Sequence, residues 1–220
     1  NPATVFSIPT GVDVCRFRPS LSNEKLKEAL GFERKQRLVG TVTFLRPEKG
    51  THILIEAMGL LRNEFPLLRC LIIGSGPEQR KLVQQIRDRS LESVVVLAGF
   101  RQDIPDLLNL LEVFVLPSLE EGMPQSLTQA LAMECPVVAS AVGAVPEVVK
   151  DQETGLLVPA VNPRILSEKI AYLLREPSQG KRMGKAGRRV VESSFSLEEM
   201  LKKTEQVYSH LWETRGRPAA

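Results

Sequence analysis

Short apolar, β-branched runs alternate with longer stretches of helical period along most of this chain, and that alternation restricts the fold more than any other feature. The runs are Leu38 to Phe44, Leu68 to Ile73, Val94 to Ala98, Val113 to Leu116, Pro136 to Ala139 and Gly155 to Val158. Between them, Thr51 to Leu61 repeats its apolar residues at helical spacing (Ile53, Leu54, Ala57, Leu61). Gln79 to Arg89, Ile104 to Leu110 and Gln125 to Met133 also read as helices, with a short one near Val145. From Asn162 to about Thr214 the pattern stays helical, with breaks near Pro177 and at Ser194 to Ser196. Strands that are apolar at nearly every position must be covered on both faces, which predicts a parallel sheet between helix layers.

Right-handed crossovers leave the doubly wound, Rossmann-like order as the expected α/β topology, with about six strands, helices on both faces and extra C-terminal helices. In that order the first and fourth strands are neighbours, and ligands bind beyond their carboxyl ends. The loop after the first strand carries Arg46-Pro47-Glu48-Lys49-Gly50, and the loop after the fourth carries Pro117-Ser118-Leu119-Glu120-Glu121-Gly122-Met123-Pro124. These are the most charged strand-to-helix loops of the sheet region, and the topology sets them side by side.

Lys49 stands just before a helix expected to start near Gly50, so its ammonium and the first free N–H groups can face one anion. The guanidinium of Arg46, in the same loop, suits bidentate contact with a phosphate. Pro124 fits the first position of the next helix, leaving the N–H groups of Gln125, Ser126 and Leu127 directed at the cleft, and Gly122 permits close backbone approach. The bland alternatives are a solvated lysine and an ordinary Pro-initiated helix. Gly74-Ser75-Gly76-Pro77 is half of a phosphate-loop pattern and a weak signal, since Gln79 replaces the third glycine. His52 and His210 lack a partner carboxylate nearby in sequence and read as structural.

Composition excludes several classes. A charged fraction of 25% with 43% hydrophobic residues is that of a globular domain. A net charge of +3 is too small for a nucleic-acid-binding stripe. Cys15, Cys70 and Cys135 follow no metal-ligand spacing and read as small buried thiols in a reducing, cytoplasmic setting. No apolar run is long enough to span a bilayer. The basic segments Lys181 to Arg189 and Lys202-Lys203 read first as solvated helix faces, with peripheral contact at the inner face of a membrane as the functional reading beside it. Asn1-Pro2 lacks an initiator methionine, so upstream sequence is expected. Residues 1–19 are expected to be a linker or entry segment, 20–195 a Rossmann-like ligand-binding domain and 196–220 a C-terminal helix and tail.

Taken together, the motifs resemble the carboxy-terminal, donor-binding domain of the retaining family-four glycosyltransferases of the GT-B type. Ile8-Pro9-Thr10-Gly11-Val12-Asp13 is similar to the family's interdomain motif, and Arg46 to Gly50 to its arginine-lysine-glycine loop. Glu121-Gly122-Met123-Pro124 through Pro136-Val137-Val138-Ala139-Ser140 resembles its signature. Gly143-Ala144-Val145-Pro146-Glu147, Thr154-Gly155-Leu156-Leu157-Val158-Pro159 and Met183-Gly184 onwards resemble its closing motifs.

The resemblance implies transfer of a hexose-type sugar from a nucleoside diphosphate sugar, as co-substrate, to a glycan or lipid-linked acceptor, with retention and without a metal or other cofactor. Lys49, Arg46 and Glu121 become the expected catalytic residues. Gly122, Met123, Pro124, Gln125, Ser126, Leu127 and Gln129 become donor-binding, with Gly99, Phe100 and Arg101 framing the base and Gly11 at the interdomain motif. The acceptor would belong to an amino-terminal domain absent from this chain, and without it the chain is expected to transfer nothing. Three positions depart from the family pattern. Gln129 replaces a glutamate, Phe44 an arginine, and Glu134 a helix-ending glycine whose left-handed backbone would strain a larger residue. Those departures motivate a second reading, a non-catalytic nucleotide-sugar-binding module.

Overall fold

The computed structural model describes residues 5–20 and 23–215. Its first helix, α1 (Glu24–Ala29), has no counterpart in the sequence reading; it is short, buries none of its residues, and is capped by Asn23, whose Oδ1 accepts from the Leu26 N–H at 3.1 Å. Strand β1 (Arg37–Val42) then opens the sheet. Residues 43 and 44, predicted as strand, lie beyond its end. A 3-10 turn (Pro47–Lys49) leads through Gly50 into α2 (Thr51–Leu61), followed by β2 (Leu68–Ile73), α3 (Gln79–Asp88) and β3 (Val95–Gly99). The chain continues with α4 (Ile104–Leu108), β4 (Val113–Leu116), α5 (Gln125–Ala132), β5 (Val137–Ser140), α6 (Val145–Val148) and β6 (Leu156–Val158). Three helices finish it: α7 (Pro163–Arg175), α8 (Pro177–Ser194) and α9 (Leu197–Arg215). Both predicted breaks are present.

All neighbouring strands are parallel, in the order β3-β2-β1-β4-β5-β6. The doubly wound expectation therefore holds, with β1 beside β4 at the reversal. Alternate residues feed two cores. Val39, Ile72, Val113, Val115 and Val138 face α2, α3 and α7 on one side, while Leu38, Leu71, Ile73, Phe114 and Val137 face α5 and α6 on the other. Period-two alternation of side chains is what lets one apolar strand serve both layers.

Helix α8 lies close against α5 and the turn that follows it, where three of its residues are glycine. A Cβ on Gly184 would stand 2.0 Å from the Glu134 carbonyl oxygen, and one on Gly187 would stand 2.5 Å from the Leu131 side chain. Arg188 then ties α8 down, its guanidinium donating to the carbonyls of Ala132, Phe17 and Val14. Residues 10–12 run beside the start of α9: the Val12 N–H donates to the Phe195 carbonyl at 2.8 Å and the Leu197 N–H to the Val12 carbonyl at 2.9 Å.

Glu134 does adopt the left-handed backbone, with φ of 56°. The turn is kept and the strain is borne. Replacing Glu134 with glycine releases roughly 1–2 kcal/mol of backbone strain and returns part of it as unfolded-chain entropy. A net gain of about 1 kcal/mol is expected for Glu134→Gly by urea denaturation.

Candidate functional site

Two loops meet above the carboxyl ends of β1 and β4, and glycine makes the meeting possible. Gly50 has φ of +60°, and a Cβ there would stand 2.0 Å from the Pro117 carbonyl oxygen. The Leu119 N–H donates to the Glu48 carbonyl at 2.8 Å, fastening one loop to the other. Lys49 is thereby delivered to Glu121, its Nζ 2.9 Å from Oε2. Glu121 is fixed from two further directions. Its Oε1 accepts from the Ser118 hydroxyl at 2.7 Å, and Gly143 lies beneath its backbone. Its side chain is only 6% exposed while that of Lys49 is 26% exposed, so the carboxylate is largely desolvated and depends on its partners.

This pair stands at the wall of a cavity of about 470 Å³, lined also by Val42, Phe44, Gly74, Phe100, Arg101, Met123, Pro124, Gln125, Ser126 and Gln129. The volume is in the range of small-molecule sites. Helix α5 begins at the cavity, and among the described residues the N–H groups of Gln125 and Ser126 find no protein acceptor. They are the orphan donors every helix start carries. Among the described residues no group of three or more His, Cys, Asp or Glu side chains is gathered as metal ligands.

Several expected residues are placed differently. Pro124 precedes the helix as its N-cap rather than occupying its first turn. The Leu127 N–H is spent on the Pro124 carbonyl at 3.1 Å and its side chain is buried, so it offers the cavity nothing. Arg46 lies outside the lining; its guanidinium stacks 4.8 Å over the Phe44 ring and stands 3.9 Å from Glu48. Gly11 also lies outside, where a Cβ would meet the Leu197 Cα at 2.6 Å, so packing against α9 requires it. Gly99 shapes the loop with φ of +68° but does not line the cavity, and Gly122 is exposed with open space around it.

The glycines after β2 allow close packing of this loop on the one after β1, and Gly74 and Ser75 also line the cavity. A Cβ at Gly74 would fall 1.8 Å from the Thr43 carbonyl oxygen, and one at Gly76 2.5 Å from that of Leu45. His52 sits on α2, its carbonyl accepting from Gln85, and His210 packs edge-on against Phe6. Cys15 is exposed, against expectation, while Cys70 and Cys135 are buried. Burial pushes the Cys135 thiol up to about 12 and Cys70 also upward, which keeps both protonated.

Sequence reasoning missed Ser118 and Gly143. A serine three residues before a glutamate carries no motif by itself, and the role of Gly143 depends on a contact with a residue 22 positions away. It also missed Asp103, which grips Arg101 with two bonds of 2.8 and 2.5 Å.

The chain belongs to the glycosyl transferases group 1 family, whose pattern it matches over residues 22–190. It is 33% identical over 169 residues to the putative colanic acid biosynthesis glycosyltransferase WcaL of Escherichia coli strain K12, covering 73% of this chain and 40% of WcaL. A GDP-mannose-dependent monoacylated alpha-(1-6)-phosphatidylinositol monomannoside mannosyltransferase of Corynebacterium glutamicum is 33% identical over 203 residues, 88% of this chain and 53% of that protein. Among solved structures, Anabaena HepE in complex with UDP-glucose superposes with a TM-score of 0.85 at 26% identity, over 94% of this chain and 57% of HepE. The C-terminal domain of the group 1 glycosyl transferase LpcC from Francisella tularensis, at 24% identity, shares the fold with a TM-score of 0.77 over 85% of this chain and all of that one. The chain spans about half the length of the curated relatives it matches.

Gly143 has φ of +50°, and a Cβ there would stand 1.7 Å from the Glu121 carbonyl oxygen. Gly143→Ala is expected to cost roughly 2–4 kcal/mol by combined overpacking and backbone strain. Gly122→Ala, with nothing within 4 Å, should stay within about 0.5 kcal/mol. Urea denaturation of the two variants separates these outcomes.

The hydrogen bonds from Arg101 hold the Asp103 carboxyl below the ordinary carboxylate range. Its folded pKa being the lower, the pair's stabilisation is whole above the unfolded value of about 3.9 and fades as pH falls through the folded value. The stability gap between the wild type and Asp103→Asn should therefore narrow below about pH 4, as read from denaturation midpoints across pH.

Proposed function

We propose that this chain is the donor-binding half of a retaining glycosyltransferase that moves a hexose from a nucleoside diphosphate sugar to a glycan or lipid-linked acceptor. The observation that carries this reading is the convergence of Lys49, Glu121 and the open start of α5 on one cavity at the sheet's switch point. HepE, whose structure with UDP-glucose this fold resembles, supports a nucleotide-sugar ligand for that cavity.

As the bond between the anomeric carbon and the diphosphate breaks, negative charge grows on the departing oxygens. Lys49 gives one of its three donors to Glu121 and keeps two for phosphate. The Gln125 and Ser126 N–H groups supply further fixed donors at the positive end of α5. Such a preorganised arrangement stabilises the leaving group without water having to reorient, and it needs no metal. Glu121, oriented by Ser118 and Lys49, accepts from hydroxyls of the donor sugar. Gln129 accepts from the ribose, by a neutral bond weaker than a carboxylate would make. Phe100 and the loop held by Arg101 and Asp103 frame the base.

The acceptor is supplied by a second domain, and closure of the two completes the reaction site. Lys49→Ala in the enzyme carrying both halves is expected to lower turnover about 100-fold or more; turnover near wild type would remove Lys49 from the chemistry. Saturation-transfer NMR on the chain alone, which registers weak binders, should show contact with UDP-glucose or GDP-mannose. Signal from neither would overturn the donor-binding assignment.

A further inference from the structure

A second cavity, of about 260 Å³, opens between α7 and α8 beside the edge strand β6. It is two strands away from the β1–β4 switch point and shares no residue with the donor cavity. Leu156 and Met183 form its apolar floor, and Gln152, Lys169, Tyr172 and Arg182 form its polar rim. Every charged group in that lining is a cation.

Lys169 is half-buried, and among the described residues no carboxylate lies within salt-bridge distance of its Nζ. Arg182 donates through Nε to the Gln179 side chain at 3.0 Å, which leaves the far edge of its guanidinium uncommitted. Gln152 is held at φ of +63°, a left-handed conformation uncommon for a residue with a Cβ. A half-buried lysine whose stem lies on apolar surface and whose ammonium has no protein counter-ion is free to meet an anion from solution. The surrounding face adds to the same potential. Lys181, Lys185 and Arg189 line the exposed side of α8 with Arg182, and the nearest acid on that helix, Glu192, is taken by Arg188 at 2.7 Å.

We propose that Lys169, Arg182, Tyr172 and Gln152 form an anion site for a phosphate mono- or diester, separate from the donor cavity. Arg182 presents the planar fork that phosphate accepts, Lys169 adds a point charge and the Tyr172 hydroxyl a further donor, while Gln152 gives one amide hydrogen to the Asp151 carboxylate at 3.5 Å and keeps the other for the anion. Two sources offer this chemistry: a soluble phosphate compound, or the headgroup of an anionic phospholipid, whose surface the cations of α8 would also meet. The site stands on its own residues and does not depend on the donor assignment.

The test uses the whole chain, with sodium phosphate followed by NMR and with vesicles of phosphatidylglycerol or phosphatidylcholine followed by co-sedimentation. Saturable shifts at Lys169 and Arg182 with phosphate, lost in Lys169→Gln/Arg182→Gln, establish the site. A soluble ligand is indicated if vesicles of both kinds stay unbound. If phosphatidylglycerol vesicles are retained, the double variant should partition about 30-fold less, the effect of two cations at a membrane surface. Arg80→Gln/Arg87→Gln on α3 removes the same charge elsewhere and should weaken partition far less. Equal weakening by the two double variants, or no response to either probe, would overturn the proposal. Circular dichroism on each variant confirms that the fold is unchanged.

Discussion

The site depends on how closely two loops approach at the β1–β4 reversal. With Gly50 pressed against the Pro117 carbonyl and the Leu119 N–H bonded to Glu48, the separation of Lys49 and Glu121 is fixed by backbone rather than by side-chain reach. An ion pair assembled by long flexible chains on a surface contributes little, because ordering the chains offsets the attraction. Here the ordering is supplied by the fold. Glu121 is confined by Ser118 and Gly143 as well, and so the carboxylate that water would otherwise solvate is held among protein donors.

Cations are distributed unevenly around the cavity. Arg101 is turned towards Asp103 and Arg46 is drawn over the Phe44 ring, which leaves Lys49 and the start of α5 as the donors facing the space between the loops. Phe44 contributes an apolar wall and a perch for Arg46. The electrostatics of this cavity are therefore concentrated at one corner.

Much of this was legible in the residues. The apolar runs at Leu68 to Ile73 and Val113 to Leu116 became strands with those bounds, because a strand buried on both faces has no polar alternation to blur its ends. That the loops carrying Lys49 and Glu121 lie side by side followed from strand order; the ion pair between the two side chains did not. What sequence could not supply were contacts across the chain. The role of Gly11 is set by α9, that of Gly143 by Glu121, and the anchoring of Arg188 by three carbonyls from two distant segments. Helix α1 escaped notice because its six residues are too few to display a period. The Leu127 N–H is engaged because the first turn of α5 closes with a tighter bond, to the Pro124 carbonyl three residues back, which a regular helical ladder would not make.

The strip of backbone at residues 10–12 joins parts that are remote in sequence. Val12 is bonded on both sides to the junction of α8 and α9, and the neighbouring Thr10 carbonyl accepts from the Gln125 side chain at 3.2 Å, at the head of α5. Three hydrogen bonds thus moor the foot of the terminal helix and the residue that opens the cavity-facing helix to one short strip of chain, so the two share a single anchor although about 70 residues separate them in sequence.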